Sequence, residues 1–500
     1  MTENLKQKTF YGVIWSYVNK FFSLLMGIVP AMILTRLLPP SEYGLIAMAA
    51  IFTNVAYQLA DGGFGNALVQ KKEADHLDFC SVFFFNLFLS ILMYGVFFFL
   101  APFCADFFHE ERLVSIIRVS TLGLVFLAFG QVQGIIFKKN LDFKRSTIRN
   151  LISQVVAVFV AIVMAFSGYG IWALVVQGIL QTFVGSFLNW FFSDWRPTFC
   201  FSFHRLNLLF NFGSKSLLSS LIDYGFNKAY DIIIGRRFSP ASLALYNRAY
   251  TTSGLFKDTF FNVFSGVTFP VFVQMQDDND RLKSNIRKFL MIVSMMIFTV
   301  MLCLYALSEP LFRFLYSAKW DDAIPLFKIA CLASLLTPLV SILESVILAK
   351  GQSGKFLFIS VIRKVFVVLV IGVTWNKGIA WMMYGQILVS VCEIIIYSFF
   401  VNRMVAYSLY LMLRDLLPSL LLAVSVSLIV YFCDMRISHF LSVYFIDVFA
   451  LSVARLVLGC VMAVLVFFLV CKLLKIRAYR DLLDFLAASV GENRIIKVLR

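Results

Sequence analysis

Lys215, Ser219, Asp223, Asn227 and Asp231 recur every four residues along one otherwise apolar stretch, with Ser216, Ser220 and Lys228 on the adjoining rows. A spacing of four keeps side chains on one face of a helix, so this segment carries a continuous polar stripe. Shorter stripes accompany it: Ser16, Lys20, Ser23 and Gly27, then Asn54, Gln58, Asp61 and Gly65. Thr251, Thr252, Asp258, Thr259, Asn262 and Ser265 form a fourth polar set. Lys20, Lys215 and Lys228 offer point charges suited to a phosphate or diphosphate, and Asp61, Asp223, Asp231 and Asp258 are carboxylates able to titrate or to pair. For Lys215 with Asp223, and for Lys228 with Asp231, an ion pair locking helices together is the competing use. Arg36 and Arg236 extend the cationic set as ligand candidates, although at helix ends such residues more often anchor a loop or snorkel. Arg363 and Lys364 divide evenly between cavity lining and snorkelling, and Glu344 and Glu393 read as helix-packing or loop-end groups.

The elements that carry these stripes are membrane helices. Of 500 residues, 60% are hydrophobic and only 14% charged, with 56 Phe, a balance that no water-soluble fold could bury. Windows of roughly 20 residues predict an all-α polytopic integral membrane protein of about fourteen helices. Six lie near 10–34, 43–66, 79–103, 113–137, 149–167 and 170–192. Six more lie near 209–234, 243–273, 288–308, 323–349, 356–375 and 378–401, and a last pair near 416–433 and 447–471. The expected organisation is a six-helix lobe over 1–200, a second over 201–405, an extra helix pair over 406–475 and a basic cytoplasmic tail over 476–500. Polar residues concentrate in helices 1, 2, 7 and 8, whereas 83–100 and 417–432 are nearly pure hydrocarbon. The first pair of each lobe therefore lines the expected central, aqueous cavity.

Orientation follows from the basic residues. With the N-terminus inside, Lys71, Lys72, Lys138, Lys139, Lys144, Arg145 and the tail from Lys472 face the cytoplasm. Roughly 26 basic residues then lie inside and roughly 9 outside, and both termini are cytoplasmic. This asymmetry accounts for much of the +16 net charge, so nucleic acid is not an expected partner. Lys6 and Lys8 precede an apolar stretch without a small-residue cleavage pattern, which reads as a retained first helix.

The halves also repeat. ILTRLLPPSEYGLI at 33–46 overlays IIGRRFSPASLALY at 233–246, and GIWALVVQG at 170–178 overlays GIAWMMYGQ at 378–386. Two matches at similar offsets argue for a duplicated six-helix unit, whose even helix count gives both copies one orientation and places a substrate site at their interface.

On these residues and motifs the chain resembles bacterial polysaccharide flippases of the Wzx kind, in the multidrug/oligosaccharidyl-lipid/polysaccharide exporter superfamily, and most of all the colanic-acid-exporter branch. The resemblance rests on TRLLPPSEYG at 35–44, DGGFGNALVQKKE at 61–73, LYNRAY at 245–250, FPVFVQMQDD at 269–278 and YSAKWDDAIP at 316–325, and runs to about residue 480. It implies a secondary transporter that moves an undecaprenyl-diphosphate-linked oligosaccharide across the bacterial inner membrane, driven by H+, Na+ or the membrane potential. A polymerase or glycosyltransferases of the same pathway are implied partners.

Two other classes compete. A drug/cation antiporter of the same superfamily would favour an acidic pocket, against Lys20, Lys215 and Lys228. A membrane enzyme of the same glycan pathway would need a large loop or an acidic catalytic motif, whereas Asp277-Asp278 and Asp321-Asp322 sit in short loops on opposite sides. GQSGKF at 351–356 lacks P-loop spacing. No cofactor is expected, and His76, His109, His204 and His439 lie far apart with no second ligand at metal-site spacing, so no metal is expected either. Of nine cysteines, Cys80, Cys303, Cys331, Cys392 and Cys460 fall inside or beside apolar runs with no C-x-x-C spacing and read as small buried hydrophobes.

Overall fold

Pro40 opens a helix where its missing N–H has no partner to lose, and the two glycines after Asp61 close it in left-handed conformations, with φ of 58° at Gly62 and 75° at Gly63. Such local signals set the element boundaries throughout the computed structural model, which describes residues 25–441, 447–474 and 478–483 together with 15, 18, 20 and 22. The side chains of residues 212, 260–265 and 267 lie outside that description.

Among the described residues the chain is helical without strands. The first compact unit, Met1–Ala244, contains α1 (Leu25–Leu37), α2 (Pro40–Asp61), α3 (Phe64–Gln70), α4 (His76–Phe108), α5 (Leu113–Ser120), α6 (Leu122–Lys139), α7 (Phe143–Phe166), α8 (Trp172–Phe192), α9 (Phe203–Asn227) and α10 (Ala229–Arg237). The helix α11 (Pro240–Gln274) leads into the second unit, Leu245–Arg500. That unit holds α12 (Asn279–Ala306), α13 (Ser308–Leu315), α14 (Ala323–Ala349), α15 (Ser353–Thr374), α16 (Ile379–Val405), α17 (Leu409–Leu441) and α18 (Val448–Leu474).

Eleven described helices, counting α5 and α6 as one span, are long and apolar enough to cross a bilayer. Phe99, Phe103 and Phe191 are 76%, 70% and 75% exposed, and only lipid accommodates such a surface. The long helices α9 and α11 fall outside the apolar set, and they are the two that carry the densest polar stripes. A helix of that length and polarity within a membrane bundle must present its polar face to water or to protein.

Among the described residues, three expected helices are broken. The stretch 43–66 divides at Gly62-Gly63, 113–137 at Thr121, and 209–234 at Lys228. At the first, two left-handed residues in succession end the α2 ladder. At the third, Lys228 has ψ near 1°, turning the chain so that Asp231 leaves the exposed Lys215 stripe and becomes buried on α10. The two copies of the first repeat share one local form: α1 and α10 each end three residues before a proline that opens the next helix. Gly44 of α2 lies so close to Pro240 that a Cβ there would overlap its carbonyl. In the second match, a positive-φ glycine, Gly170 or Gly378, precedes each helix.

In the second unit α12 is the central helix, packed along α14 and α17. Its inward residues Leu290, Val293 and Ile297 join Leu339, Leu343 and Val346 of α14 and Tyr397 and Val401 of α16. The C-terminal pair is part of this unit. Leu422, Val426 and Val430 of α17 cover Met291 and Met295 of α12, and Val466 and Cys471 of α18 close the cluster. Arg287 of α12 clamps Asp415 of α17 with two bonds of 2.7 Å, and Tyr407 donates to the same carboxylate at 2.9 Å.

Candidate functional site

The break after Asp61 builds the site. Gly63 sits against the backbone of Gly213, where a Cβ would meet the Gly213 carbonyl, so the paired glycines let α9 approach the α2–α3 corner at backbone contact. Beside this crossing lies a cleft of about 350 Å³ between the end of α2 and the middle of α9. Asn54, Gln58 and Asp61 line it from α2, and Ser216, Ser220 and Tyr224 from α9. Tyr224 spans the gap, its hydroxyl donating to the Ala50 carbonyl at 3.1 Å. Broken helices within a bundle place polar backbone and side chains where a solute or ion can reach them.

Behind the cleft runs a polar relay. Gln131 of α6 donates through Nε2 to Asp61 Oδ1, and Asn86 Nδ2 of α4 donates to Gln131 Oε1 at 3.2 Å. Asn86 is buried, so the relay fixes the Gln131 amide and aims its donor at Asp61. The mouth of α4 nearby is fixed by a capping box between Asp75 and Asp78, to which Lys71 adds a 2.6 Å ion pair. Bonding from the Asp78 backbone N–H, then the Asp78 side chain and the Arg205 and Lys71 charges, hold the Asp75 carboxyl below its usual range.

The expected residues separate into groups. Asn54, Gln58 and Asp61 meet in the cleft as their spacing indicated. On α9 the cleft takes the adjoining Ser216–Ser220 row, while Lys215, Ser219, Asp223 and Asn227 occupy an exposed face. Lys228 pairs with Asp231 at 2.6 Å, the ion-pair use of these two residues. Arg236 binds the C-terminal turn of α4, donating to the Asp106 carbonyl at 3.3 Å and to that of Phe107, lying 2.6 Å from His109 Nε2 and covering the Phe107 ring. Arg36 is half-buried at the end of α1, and Lys20 is exposed. Asp258 lies 3.6 Å from Lys257. Ser16 and the Asn262 side chain lie outside the described residues.

Sequence reasoning passed over Asn86, Gln131 and Tyr224, the first two in largely apolar runs and the third beside the Asp223 stripe. It also passed over Arg248 in the second unit. There LYNRAY and YSAKW converge: Arg248 stacks on Tyr316 and Trp320, at 5.0 and 5.1 Å from their ring centres, and Tyr316 Oη lies 2.8 Å from Thr252 Oγ1. In the same unit Tyr397 donates to Glu344 at 2.9 Å and Arg363 lies 3.5 Å from Glu393, so these groups tie α14, α15 and α16 together.

The sequence model of the polysaccharide biosynthesis protein family matches residues 33–325, more than half of the chain. The chain belongs to this family. As a multi-pass member of the polysaccharide biosynthesis protein family it is similar to the lipopolysaccharide biosynthesis protein WzxC of Escherichia coli (strain K12), 25% identical over 355 residues that span 70% of this chain and 71% of that one. The succinoglycan biosynthesis transport protein ExoT of Rhizobium meliloti (strain 1021) is 25% identical over 425 residues, 84% of this chain and 83% of that one. In fold, this family member resembles the inward closed conformation of the lipid II flippase MurJ, with a TM-score of 0.70 at 12% identity, covering 93% of this chain and all of that one. An inward-facing multidrug resistance transporter of the MATE family gives 0.59 at 16% identity, over 76% of this chain and 94% of that one.

Proposed function

We propose that this chain is a secondary transporter that flips a lipid-diphosphate-linked oligosaccharide across the bacterial inner membrane for polysaccharide assembly, with both termini in the cytoplasm. The observation that carries the reading is the polar cleft at the broken α2–α3 helix, faced by a long helix that keeps a second polar face exposed. The sugar needs such a polar path, while its lipid tail needs none and stays in the bilayer. Relatives named for polysaccharide biosynthesis and transport support the same substrate class. The two six-helix lobes of the duplicated unit, 1–200 and 201–405, would supply the moving bodies.

Within this reading the diphosphate is held by Lys215 on the exposed α9 face, and Lys20 is a second candidate of the cationic set. Lys228, already paired with Asp231, positions the α9–α10 corner. Lys215→Ala is expected to reduce flipping about tenfold, the loss of one charge-assisted phosphate contact, with normal membrane insertion. Lys228→Ala is expected to lower stability more than substrate affinity, because it strands the buried Asp231 carboxylate. Normal transport by Lys215→Ala would remove that residue from the substrate path.

Asp61 is the carboxylate we assign to coupling, since it fronts the cleft and is held by Gln131 alone among side-chain donors of the described residues. Asp61→Asn keeps the size of the side chain and removes its charge. Gradient-driven transport should fall about tenfold or more while gradient-free exchange persists. The assay is movement of a lipid-diphosphate oligosaccharide between leaflets of proteoliposomes, with and without imposed H+ or Na+ gradients. No movement by folded protein with authentic substrate would overturn the flippase reading.

A further inference from the structure

Outside the cleft, the first turn of α4 and the connector 193–202 assemble a donor set for which flipping has no use. We propose that His76, Cys80 and Cys200 form a zinc site that fastens this connector, and with it the start of α9, to α4. His76 and Cys80 stand one turn apart on α4, so both side chains leave the same face. Cys200 arrives from the connector, and the three donor atoms lie within 4.8 Å of one another. Among the described residues no other three His, Cys or carboxylate donors converge so closely.

The neighbouring groups converge on the same point. His76 Nε2 is 3.3 Å from Cys80 Sγ, and the Thr198 backbone N–H donates to that sulfur at 3.4 Å. The Thr198 hydroxyl lies 2.8 Å from His76 Nε2 and 3.3 Å from Cys200 Sγ, where a fourth ligand would stand. Two sulfurs and one imidazole nitrogen with an open fourth position are a donor set that zinc accepts, and a pair of thiolates selects it over magnesium or calcium. Cys80 is fully buried and holds the site in place, whereas His76 is exposed and gives the ion a way in. His76 Nε2 and Cys80 Sγ already stand about as far apart as two ligands on a tetrahedral zinc with bonds of about 2.0 to 2.3 Å. Cys200, on irregular backbone, is the donor free to adjust.

One hydrogen bond must be given up. Trp195 Nε1 donates to His76 Nδ1 at 3.0 Å, so in the metal-free chain the ring proton belongs on Nε2. Zinc at Nε2 sends that proton to Nδ1 and releases the indole. A neutral hydrogen bond is a small loss against two thiolate bonds to zinc, and the released indole becomes a reporter of binding. The consequence for the fold is local and definite. Ser202, two residues past Cys200, donates its N–H to Ser81 Oγ at 3.0 Å and caps α9 through Arg205 N, so a metal at Cys200 stiffens the joint from which α9 departs.

The test uses the full-length protein in detergent, stripped with chelator, loaded with Zn2+ and desalted. Metal analysis is expected to find about one zinc per chain, with Cd2+ in its place giving the ultraviolet absorption of cadmium bound to thiolate. Zn2+ should change tryptophan emission in the wild type and not in Trp195→Phe. Cys80→Ser and Cys200→Ser should each lose the zinc while keeping their helix content by circular dichroism, and Cys460→Ser should retain it. Wild type that holds no stoichiometric zinc and shows no cadmium–thiolate band overturns the proposal, as does zinc retained equally by the Cys80→Ser/Cys200→Ser double variant. The wild-type cadmium spectrum decides the matter even if a variant fails to fold.

Discussion

Gly63→Val is expected to abolish flipping, and Gly63→Ala to reduce it by about tenfold or more. The physical case has two independent parts. Gly63 holds φ of 75°, a conformation that costs an L-residue about 1–2 kcal/mol and a β-branched one more. Its added Cβ would also overlap the carbonyl of Gly213, a backbone atom that no rotamer change can move aside. Relief requires α9 to back away from the α2–α3 corner, which pulls Ser216 and Ser220 from Asn54 and Gln58 and reshapes the cleft. Gly95→Ala is the control. Gly95 lies within α4 with nothing near its missing Cβ, so alanine there should be neutral or stabilise by up to about 1 kcal/mol. Unfolding temperature in detergent and leaflet transport, measured on both variants, separate a closed cleft from a general loss of fold. Equal transport by Gly63→Val and wild type would show that the cleft takes no part.

The helices were legible because lipid imposes one rule on every segment, and a window of some 20 apolar residues registers it directly. The 323–349 helix was placed to the residue, since Asp321-Asp322 and Lys350-Gly351 punctuate its apolar run at both ends. Breaks were harder. Gly62-Gly63 sits inside a run whose hydrophobic period continues on both sides, and only the backbone conformation reveals that the ladder stops there. The α2 stripe of Asn54, Gln58 and Asp61 predicted the cleft because i, i+4 spacing is a local property. Which row of α9 would face it was not local. The Gly63–Gly213 contact sets the rotation of α9, turning Ser216 and Ser220 toward α2 and leaving Lys215 on the exposed face. Asn86 and Gln131 were invisible for a related reason: neither belongs to a polar stripe along its helix, and a partner for it exists only after packing. His76 and Cys80, at i, i+4, are a pair too common on helices to signal a metal by itself, and the third donor lies in a connector far along the chain.

The second large effect is expected from the C-terminal pair. Arg455 of α18 is 5% exposed, and Asp434 of α17, which it grips with bonds of 3.0 and 2.7 Å, is also 5% exposed. The same guanidinium reaches Glu309 of α13 at 3.3 Å, and Glu309 in turn pairs with Arg313, which continues to Asp321. Arg455 therefore joins three helices through one buried charge. Arg455→Ala should destabilise the protein by about 3–5 kcal/mol, because it strands Asp434 without a counter-charge in an apolar setting. The Asp434→Leu/Arg455→Met double variant should recover most of that loss, since no charge is then left buried. Transport should follow stability in this series, being low in the single variant and restored in the double. A double variant that folds as well as wild type yet does not transport would mean that the pair acts in the cycle itself. Restored transport would instead assign α17 and α18 to support of the second unit, whose central helix α12 they cover through Leu422, Val426 and Val430.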